Sequence, residues 1–177
     1  MARTSRFLAV ATGLGSCAVG VVYSVFSLNV MPALARLPAA EAIVRMQHFN
    51  ERAVMWPFMS MFFGTAALSA YALAKEAGAR DPRPRSALRA VGSGMYLAGF
   101  LLTVAFHVPR NDALERLDPA SEAAPVAWAG FLSEWTSGNH VRAALSIVGA
   151  AALLLSAVRP TRSAPTRSPA TRDEVRA

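Results

Sequence analysis

Four long apolar stretches alternate with polar connections along the chain. They cover residues 7–31, 53–74, 88–108 and 141–158, and their ionisable side chains other than Cys and Tyr lie only at their ends. A helix needs about 20 apolar residues to cross a hydrocarbon layer about 30 Å thick, and each stretch is close to that length. The pattern predicts an all-α fold, an integral membrane four-helix bundle.

A soluble helical bundle is the alternative to this prediction. Helices on the surface of a soluble protein carry polar residues at every third or fourth position, and none of the four stretches does so. Hydrophobic residues make up 54% of the chain, and the 16% that are charged lie almost wholly between the stretches, which also favours a membrane protein. We expect one transmembrane domain, 1–158, followed by a disordered, basic cytoplasmic tail, 159–177.

The distribution of cations predicts the orientation. Two thirds of the eighteen lysine and arginine residues lie before the first stretch, between the second and third or at the start of the third, or after the fourth. The positive-inside rule then places both termini in the cytoplasm. The formal net charge of +7 is therefore expected to face membrane lipids, and nucleic acid is not an expected partner.

Two segments on the opposite, non-cytoplasmic side have helical spacing. Residues 39–52 lead into the second stretch and residues 120–142 lead into the fourth, so we expect these two helices to extend beyond the bilayer and form a cap over the bundle. Small residues recur at intervals of four within the stretches, and this spacing is typical of close helix packing in lipid. In the third stretch the repeat predicts that Gly94 lies at a helix contact.

The candidate chemistry also lies near the non-cytoplasmic boundary. All three histidines, His48, His107 and His140, fall there, and three imidazoles could bind copper, zinc or iron. A site built from His107 and His140 alone is a second metal hypothesis. His48 shares its helical face with charged residues and is expected to be solvated, and we expect no cofactor.

Amide, aromatic and basic side chains accumulate at the same depth and predict a pocket floor: Gln47, Asn50, Asn111, Trp135, Asn139, His140 and Arg142. Several residues at this depth also have a purely structural interpretation. His107 could end a helix, Asn111 could cap the next one, and Arg142 could extend to the lipid headgroups. Trp128 and Trp135 could be interfacial anchors.

These residues resemble the anthrone oxygenase-like family of small four-span membrane proteins. The resemblance runs from about residue 20 to residue 158 and rests on Phe26, Met31-Pro32, Met46-Gln47, Asn50, Pro57, Val108-Pro109, Asn111-Asp112-Ala113-Leu114, Trp135-Thr136 and Asn139-His140-Val141-Arg142. The chain departs from the family at His107 and Arg110, where the family commonly has asparagine and leucine. Both changes lie beside the predicted pocket.

The resemblance implies that a small aromatic molecule, an anthrone, is oxidised to a quinone without a flavin or haem. It suggests His140 as a base, with Arg142, Asn139 and Asn111 stabilising an oxyanion. Trp135, Gln47, Asn50 and His107 would bind the substrate. The alternative is a non-catalytic membrane protein that binds a lipid, a quinone or a protein partner.

Overall fold

Four long helical spans dominate the protein. The computed structural model describes residues 2–78 and 84–158. Within them, four helical segments are long and apolar enough to cross a membrane, and we call them the first to fourth spans: Arg3–Leu34, Trp56–Ala77, Arg85–Glu115 and Ala124–Ala157. The prediction of an all-α membrane bundle is confirmed, whereas the predicted disordered tail, 159–177, lies outside the described residues.

Two of the spans are composite helices. The first consists of α1 (Ala2–Val25), a π-helical segment π1 (Phe26–Val30) and α2 (Met31–Leu34). The third consists of α5 (Pro84–Leu102), π2 (Thr103–His107) and α6 (Val108–Glu115). The second and fourth spans are α4 (Trp56–Ala77) and α7 (Ala124–Ala157), and the separate helix α3 (Ala39–Ala53) lies between the first and second.

The spans differ in length, and this difference creates a cap at one end of the bundle. The fourth span has 34 residues and the second has 22, so at about 1.5 Å per residue the fourth is about 18 Å longer. The predicted extension of the fourth helix is confirmed. The predicted extension of the second helix is not continuous with α4. Met55 has a strand-like backbone conformation and Pro57 lies in the first turn of a new helix, so α3 is a separate cap helix.

Both π-helical segments precede a proline. π1 ends two residues before Pro32, and π2 ends two residues before Pro109. Proline has no N–H to donate, and its ring crowds the carbonyl one turn earlier, so the helix widens where it would otherwise break. The chain therefore continues as a helix through His107 and Asn111, and the predictions of a helix end at His107 and a helix cap at Asn111 are wrong.

Two apolar clusters hold the bundle together. The cap cluster contains Met31, Ile43, Met46, Leu114 and Trp128 and is completed by Leu34, Ala42, Ala124 and Trp135. The second cluster lies within the spans and contains Val19, Tyr23, Phe62, Ala66, Tyr96 and Ala143. Trp128 and Trp135 are buried in the cap and are not interfacial anchors, whereas Trp56 is 79% exposed at the start of α4.

Close helix packing in the third span depends on Gly92. A Cβ atom on Gly92 would lie 2.7 Å from the carbonyl oxygen of Gly149, and one on Gly149 would lie 2.9 Å from that of Gly92. A Cβ atom on Gly94 would meet nothing within 4 Å. The small-residue repeat therefore predicted the wrong glycine in α5, because the helix face toward α7 carries Gly92.

Candidate functional site: an aromatic cavity with a buried arginine

A cavity of about 780 Å³ lies where the cap meets the spans. Its walls come from the first span, α3, α4, the third span and α7, so every long element contributes to it. Small-molecule sites commonly have volumes of about 300–1,000 Å³ and predominantly apolar walls. This cavity fits that description, since most of its lining residues are apolar or aromatic.

Stacked aromatic rings form the wall on the α4 side. The Phe58 and Phe62 rings are stacked with centroids 5.9 Å apart, and Phe62 stacks on Phe100 at 4.7 Å. The Phe26 ring lies 5.8 Å from the Trp135 ring, and the two rings are tilted. Phe26, Phe58, Phe62 and Trp135 all line the cavity. A wall with several flat rings suits a planar aromatic ligand, which gains from stacking as well as from burial.

Arg142 supplies a positive charge to this cavity. Its side chain is buried, with 6% of its surface exposed, and among the described residues no carboxylate pairs with it. The guanidinium carbon lies 4.0 Å from the Tyr23 ring centroid and 5.0 Å from that of Trp135. Cation–π contacts partly compensate for lost hydration, but they leave the charge without a counterion. The alternative that Arg142 extends to the headgroups is therefore wrong.

Asn139 holds the guanidinium in place. Nε of Arg142 donates to Oδ1 of Asn139 at 2.7 Å, and Nδ2 of Asn139 donates to the Tyr23 carbonyl at 2.8 Å and to Oγ of Ser27 at 2.7 Å. Asn139 is fully buried and does not line the cavity. It therefore links α7 to the first span and fixes the direction of Arg142, and it does not itself meet a ligand.

A hydroxyl pair supports the other side of Arg142. Thr103, in π2, donates its hydroxyl hydrogen to the Gly99 carbonyl at 2.9 Å. Its oxygen is then free to accept, and it lies 3.3 Å from the Tyr23 hydroxyl and 3.4 Å from Nη1 of Arg142. Tyr23 and Thr103 both line the cavity. Neither was predicted as a site residue. Tyr23 carried a weak signal as a phenol within an apolar stretch, and Thr103 carried none.

Two amides add neutral hydrogen-bonding groups. Oδ1 of Asn111 accepts a 2.8 Å hydrogen bond from Nε1 of Trp135, so the two residues orient one another. Nδ2 of Asn50 is buried and has no partner among the described residues. Both asparagines line the cavity, together with Trp135 and Arg142. Of the eight predicted site residues, the structure thus brings Asn50, Asn111, Trp135 and Arg142 to one cavity.

His107 lies behind the cavity wall. It is fully buried, and its ring forms a T-shaped contact with that of Trp135 at a centroid distance of 5.4 Å. Nδ1 lies 3.4 Å from the Leu102 carbonyl, and Nε2 has no partner among the described residues. His107 does not line the cavity, so the prediction that it binds substrate directly needs correction: it packs against a residue that does.

Two further predicted residues lie elsewhere. Gln47 donates to the carbonyls of Leu114 at 3.0 Å and Leu117 at 3.2 Å, so its amide ties α3 to the end of α6. His140 is exposed, because one residue after Asn139 the helix surface has turned away from the buried face. Neither lines the cavity. The expectation that Gln47 and His140 share a pocket with Arg142 is wrong.

The metal hypotheses gain no support from these placements. Across residues 2–78 and 84–158, no group of three or more His, Cys, Asp and Glu side chains could hold a metal ion. His107 is fully buried and His140 exposed, so the two imidazoles face different surroundings. His48 is exposed and lies 3.2 Å from Glu51, as expected for a solvated face.

Comparison with known families agrees with this architecture. A family model described as anthrone oxygenase matches residues 46–152, more than half of the chain. The chain belongs to the anthrone oxygenase family. No curated protein and no solved structure matches it. The range matched by the anthrone oxygenase family includes the four polar or aromatic cavity residues predicted from the sequence, but the first span, with Tyr23 and Phe26, lies outside it.

Proposed function

We propose that the protein is a membrane-embedded oxygenase that oxidises an anthrone, or a similar acidic aromatic molecule, to a quinone with dioxygen. The observation that carries this proposal is the guanidinium of Arg142, which lines an aromatic cavity without a carboxylate partner among the described residues. Membership of the anthrone oxygenase family supports it. No flavin or haem is part of the proposal.

The unpaired charge favours an anionic ligand. Moving a cation out of water costs free energy, and hydrogen bonds to neutral groups such as Asn139 recover only part of it. An anion held beside Arg142 offsets the remainder, because a charge-assisted hydrogen bond is stronger than a neutral one. The stacked rings of Phe58 and Phe62 select for a flat apolar body. Together these walls fit a planar aromatic molecule with one acidic group.

An anthrone has these properties. Loss of a proton from its methylene carbon gives a delocalised phenolate, whose negative charge lies largely on oxygen. Arg142 stabilises this oxygen, and Asn50 is a second amide-bearing residue of the cavity wall. The released proton passes to water through exposed carboxylates at the cavity rim, Asp112 and Glu115. The exposed His140 is not required as the base.

The reaction balances without an added reductant. The carbanion form of the substrate gives electrons to dioxygen, and a carbon–oxygen bond forms to give a substrate peroxide. Loss of the second hydrogen from the same carbon as a proton breaks the oxygen–oxygen bond and leaves a carbonyl. One oxygen atom enters the quinone, and the other leaves as water after protonation. The protein contributes binding, orientation and stabilisation of the anion.

Binding without turnover is the competing function. The observation that favours it is that no imidazole lines the cavity among the described residues, while the carboxylates that do are exposed at its rim. A protein of this kind would hold a quinone or a phenolic lipid beside Arg142 and release it unchanged. Both functions use the same cavity, and only a measurement of product separates them.

Incubation of membranes with emodin anthrone tests the proposal. We expect oxygen consumption and emodin formation in membranes that contain the protein, above the rate in empty membranes, and at least a hundredfold lower kcat/KM for Arg142→Gln, about the effect of losing one oxyanion donor. Addition of a chelator should leave the rate unchanged. Emodin binding without any product would support the binding protein, and loss of product with the chelator would require a metal.

A further inference from the structure

The rim of the cavity has two chemically different parts. One part is polar and lies against the cap, where Glu51, Arg52, Asp112 and Glu115 line the cavity and are exposed. The other part is apolar. Val54, Phe63, Val104 and Val108 also line the cavity, and 42–69% of each side chain is exposed. A residue that both lines a cavity and is exposed marks an opening, so the cavity opens between α4 and π2 as well as beside the cap.

The apolar opening extends below the membrane surface that Trp56 marks. Trp56 begins the second span and is highly exposed, as expected for a tryptophan at a membrane surface. Phe63 follows it by seven residues and lies about 10 Å further along the helix. Its ring contacts that of Phe100 at 5.6 Å, and Val104 lies one turn beyond Phe100, about 6 Å closer to the cap. Phe63 and Val104 therefore both lie below the level of Trp56.

The two parts of the rim favour different ligands. A neutral, flat aromatic molecule partitions into hydrocarbon and loses no hydration when it passes apolar side chains. At the polar part it would pass three carboxylates and one guanidinium, all of which keep bound water. The neutral ligand thus meets the smaller barrier at Phe63 and Val104, and it becomes an anion only beside Arg142.

We propose that the substrate reaches Arg142 from within the bilayer, through this lateral opening between α4 and π2. This inference rests on the proposed function and narrows its substrate class to lipid-dissolved, neutral aromatic molecules whose acidic group ionises only inside the cavity. Water-soluble conjugates of the same ring system, such as glycosides or sulfates, are excluded as substrates. The polar part of the rim serves the exit of the proton and of water.

A matched pair of substitutions tests the route. Val104 is 46% exposed and lines the opening, whereas Leu101 is 63% exposed in the same span and does not line the cavity. Val104→Phe should narrow the opening and lower kcat/KM for emodin anthrone at least fivefold, and Leu101→Phe should leave it unchanged. Phe63→Ala should widen the opening, and its effect is measured as a faster association of ligand.

Binding kinetics give a readout that does not depend on turnover. In a protein with Trp56→Phe and Trp128→Phe, the remaining Trp135 lines the cavity and its fluorescence reports binding of emodin. After mixing with vesicles preloaded with emodin, Val104→Phe should slow association and dissociation by similar factors and leave the affinity nearly constant. Phe63→Ala should accelerate both rates. Leu101→Phe should change neither.

Three outcomes separate the two proposals. An association rate of emodin with Val104→Phe equal to that with the unaltered protein would overturn the lateral route, even if Arg142 variants lose activity. Phe63→Ala is an independent check if Val104→Phe does not fold, and an unchanged association rate in Phe63→Ala would also contradict the route. If emodin neither binds nor forms in the unaltered protein, the proposed function fails and the lateral route fails with it.

Discussion

Oδ1 of Asn139 accepts a 2.7 Å hydrogen bond from Nε of Arg142, one turn later in the same helix. The amide nitrogen of Asn139 at the same time donates to two groups of the first span, the Tyr23 carbonyl and the Ser27 hydroxyl. The direction of the cavity arginine is thereby fixed by the contact between the first and fourth spans. Asn139 is a positioning residue in this arrangement, and Arg142 is the residue that meets the ligand.

Asn139→Ala should impair both stability and anion binding. It removes three buried hydrogen bonds, each of which contributes about 0.5–3 kcal/mol, and it frees Arg142 to rotate. We expect a lower melting temperature in detergent and about a tenfold lower kcat/KM. Asn139→Asp separates the two effects, because it keeps the acceptor for Arg142 but adds the missing negative charge, which should abolish binding of an anionic ligand.

Ser27→Ala is the control for this prediction. It removes one acceptor of Asn139 and leaves the contact between Asn139 and Arg142 in place. Its melting temperature should fall less than that of Asn139→Ala, and its kcat/KM should stay within twofold of that of the unaltered protein. If Asn139→Asp bound emodin as tightly as the unaltered protein, Asn139 would not act through the charge of Arg142.

His140→Ala should retain activity. The side chain is exposed and does not line the cavity, so its imidazole has no route to a proton on a ligand beside Arg142. Oxygen consumption with emodin anthrone should match that of the unaltered protein at every pH tested. A large loss of activity would restore the sequence-based assignment of His140 as the base.

Trp135→Phe should weaken ligand binding while keeping most of the aromatic wall. The substitution removes the indole donor to Oδ1 of Asn111 and frees that amide to rotate. A lost neutral hydrogen bond costs about 1 kcal/mol, so we expect about a fivefold higher KM for emodin anthrone. Trp128→Phe is the matched control, since Trp128 is buried in the cap and does not line the cavity. An unchanged KM for Trp135→Phe would contradict its role in the cavity.

Gly92→Ala should destabilise the bundle, and Gly94→Ala should not. A methyl group on Gly92 would be forced against the backbone of Gly149, and overpacking of this kind costs about 1–3 kcal/mol. The same change at Gly94 meets open space and should alter stability by no more than about 1 kcal/mol. Melting temperatures in one detergent decide the comparison. Equal stability of the two variants would mean that α5 and α7 pack through another face.

The sequence predicted the fold well because hydrophobic length is a strong signal. A stretch of about 20 apolar residues has few alternatives to a membrane-spanning helix, and the four stretches correspond to the four spans. Helix ends were predicted less well near proline. Pro57 begins a new helix, whereas Pro32 and Pro109 are accommodated within composite helices by π-helical segments. The choice between these outcomes depends on tertiary packing, which local sequence does not encode.

The sequence predicted the level along the bundle at which the site residues lie, but it did not predict which way each side chain points. Gln47, Asn50, Asn139 and His140 all lie at the cap side of the bundle, yet only Asn50 among them reaches the cavity. Successive residues on a helix point about 100° apart, so one can be buried while the next is exposed. Asn139 is fully buried, and His140 is exposed. Thr103 had no distinguishing feature in the sequence. Its role arises only from the approach of π2 to Arg142.

The central claim is that Arg142 stabilises the anionic form of an aromatic ligand inside the cavity. The most direct measurement is the visible absorption of emodin bound to the protein, titrated with pH and compared between the unaltered protein and Arg142→Met. The account predicts that bound emodin ionises at a lower pH than free emodin, and that Arg142→Met removes this shift although emodin still binds. Ionisation at the same pH in both proteins would contradict the account.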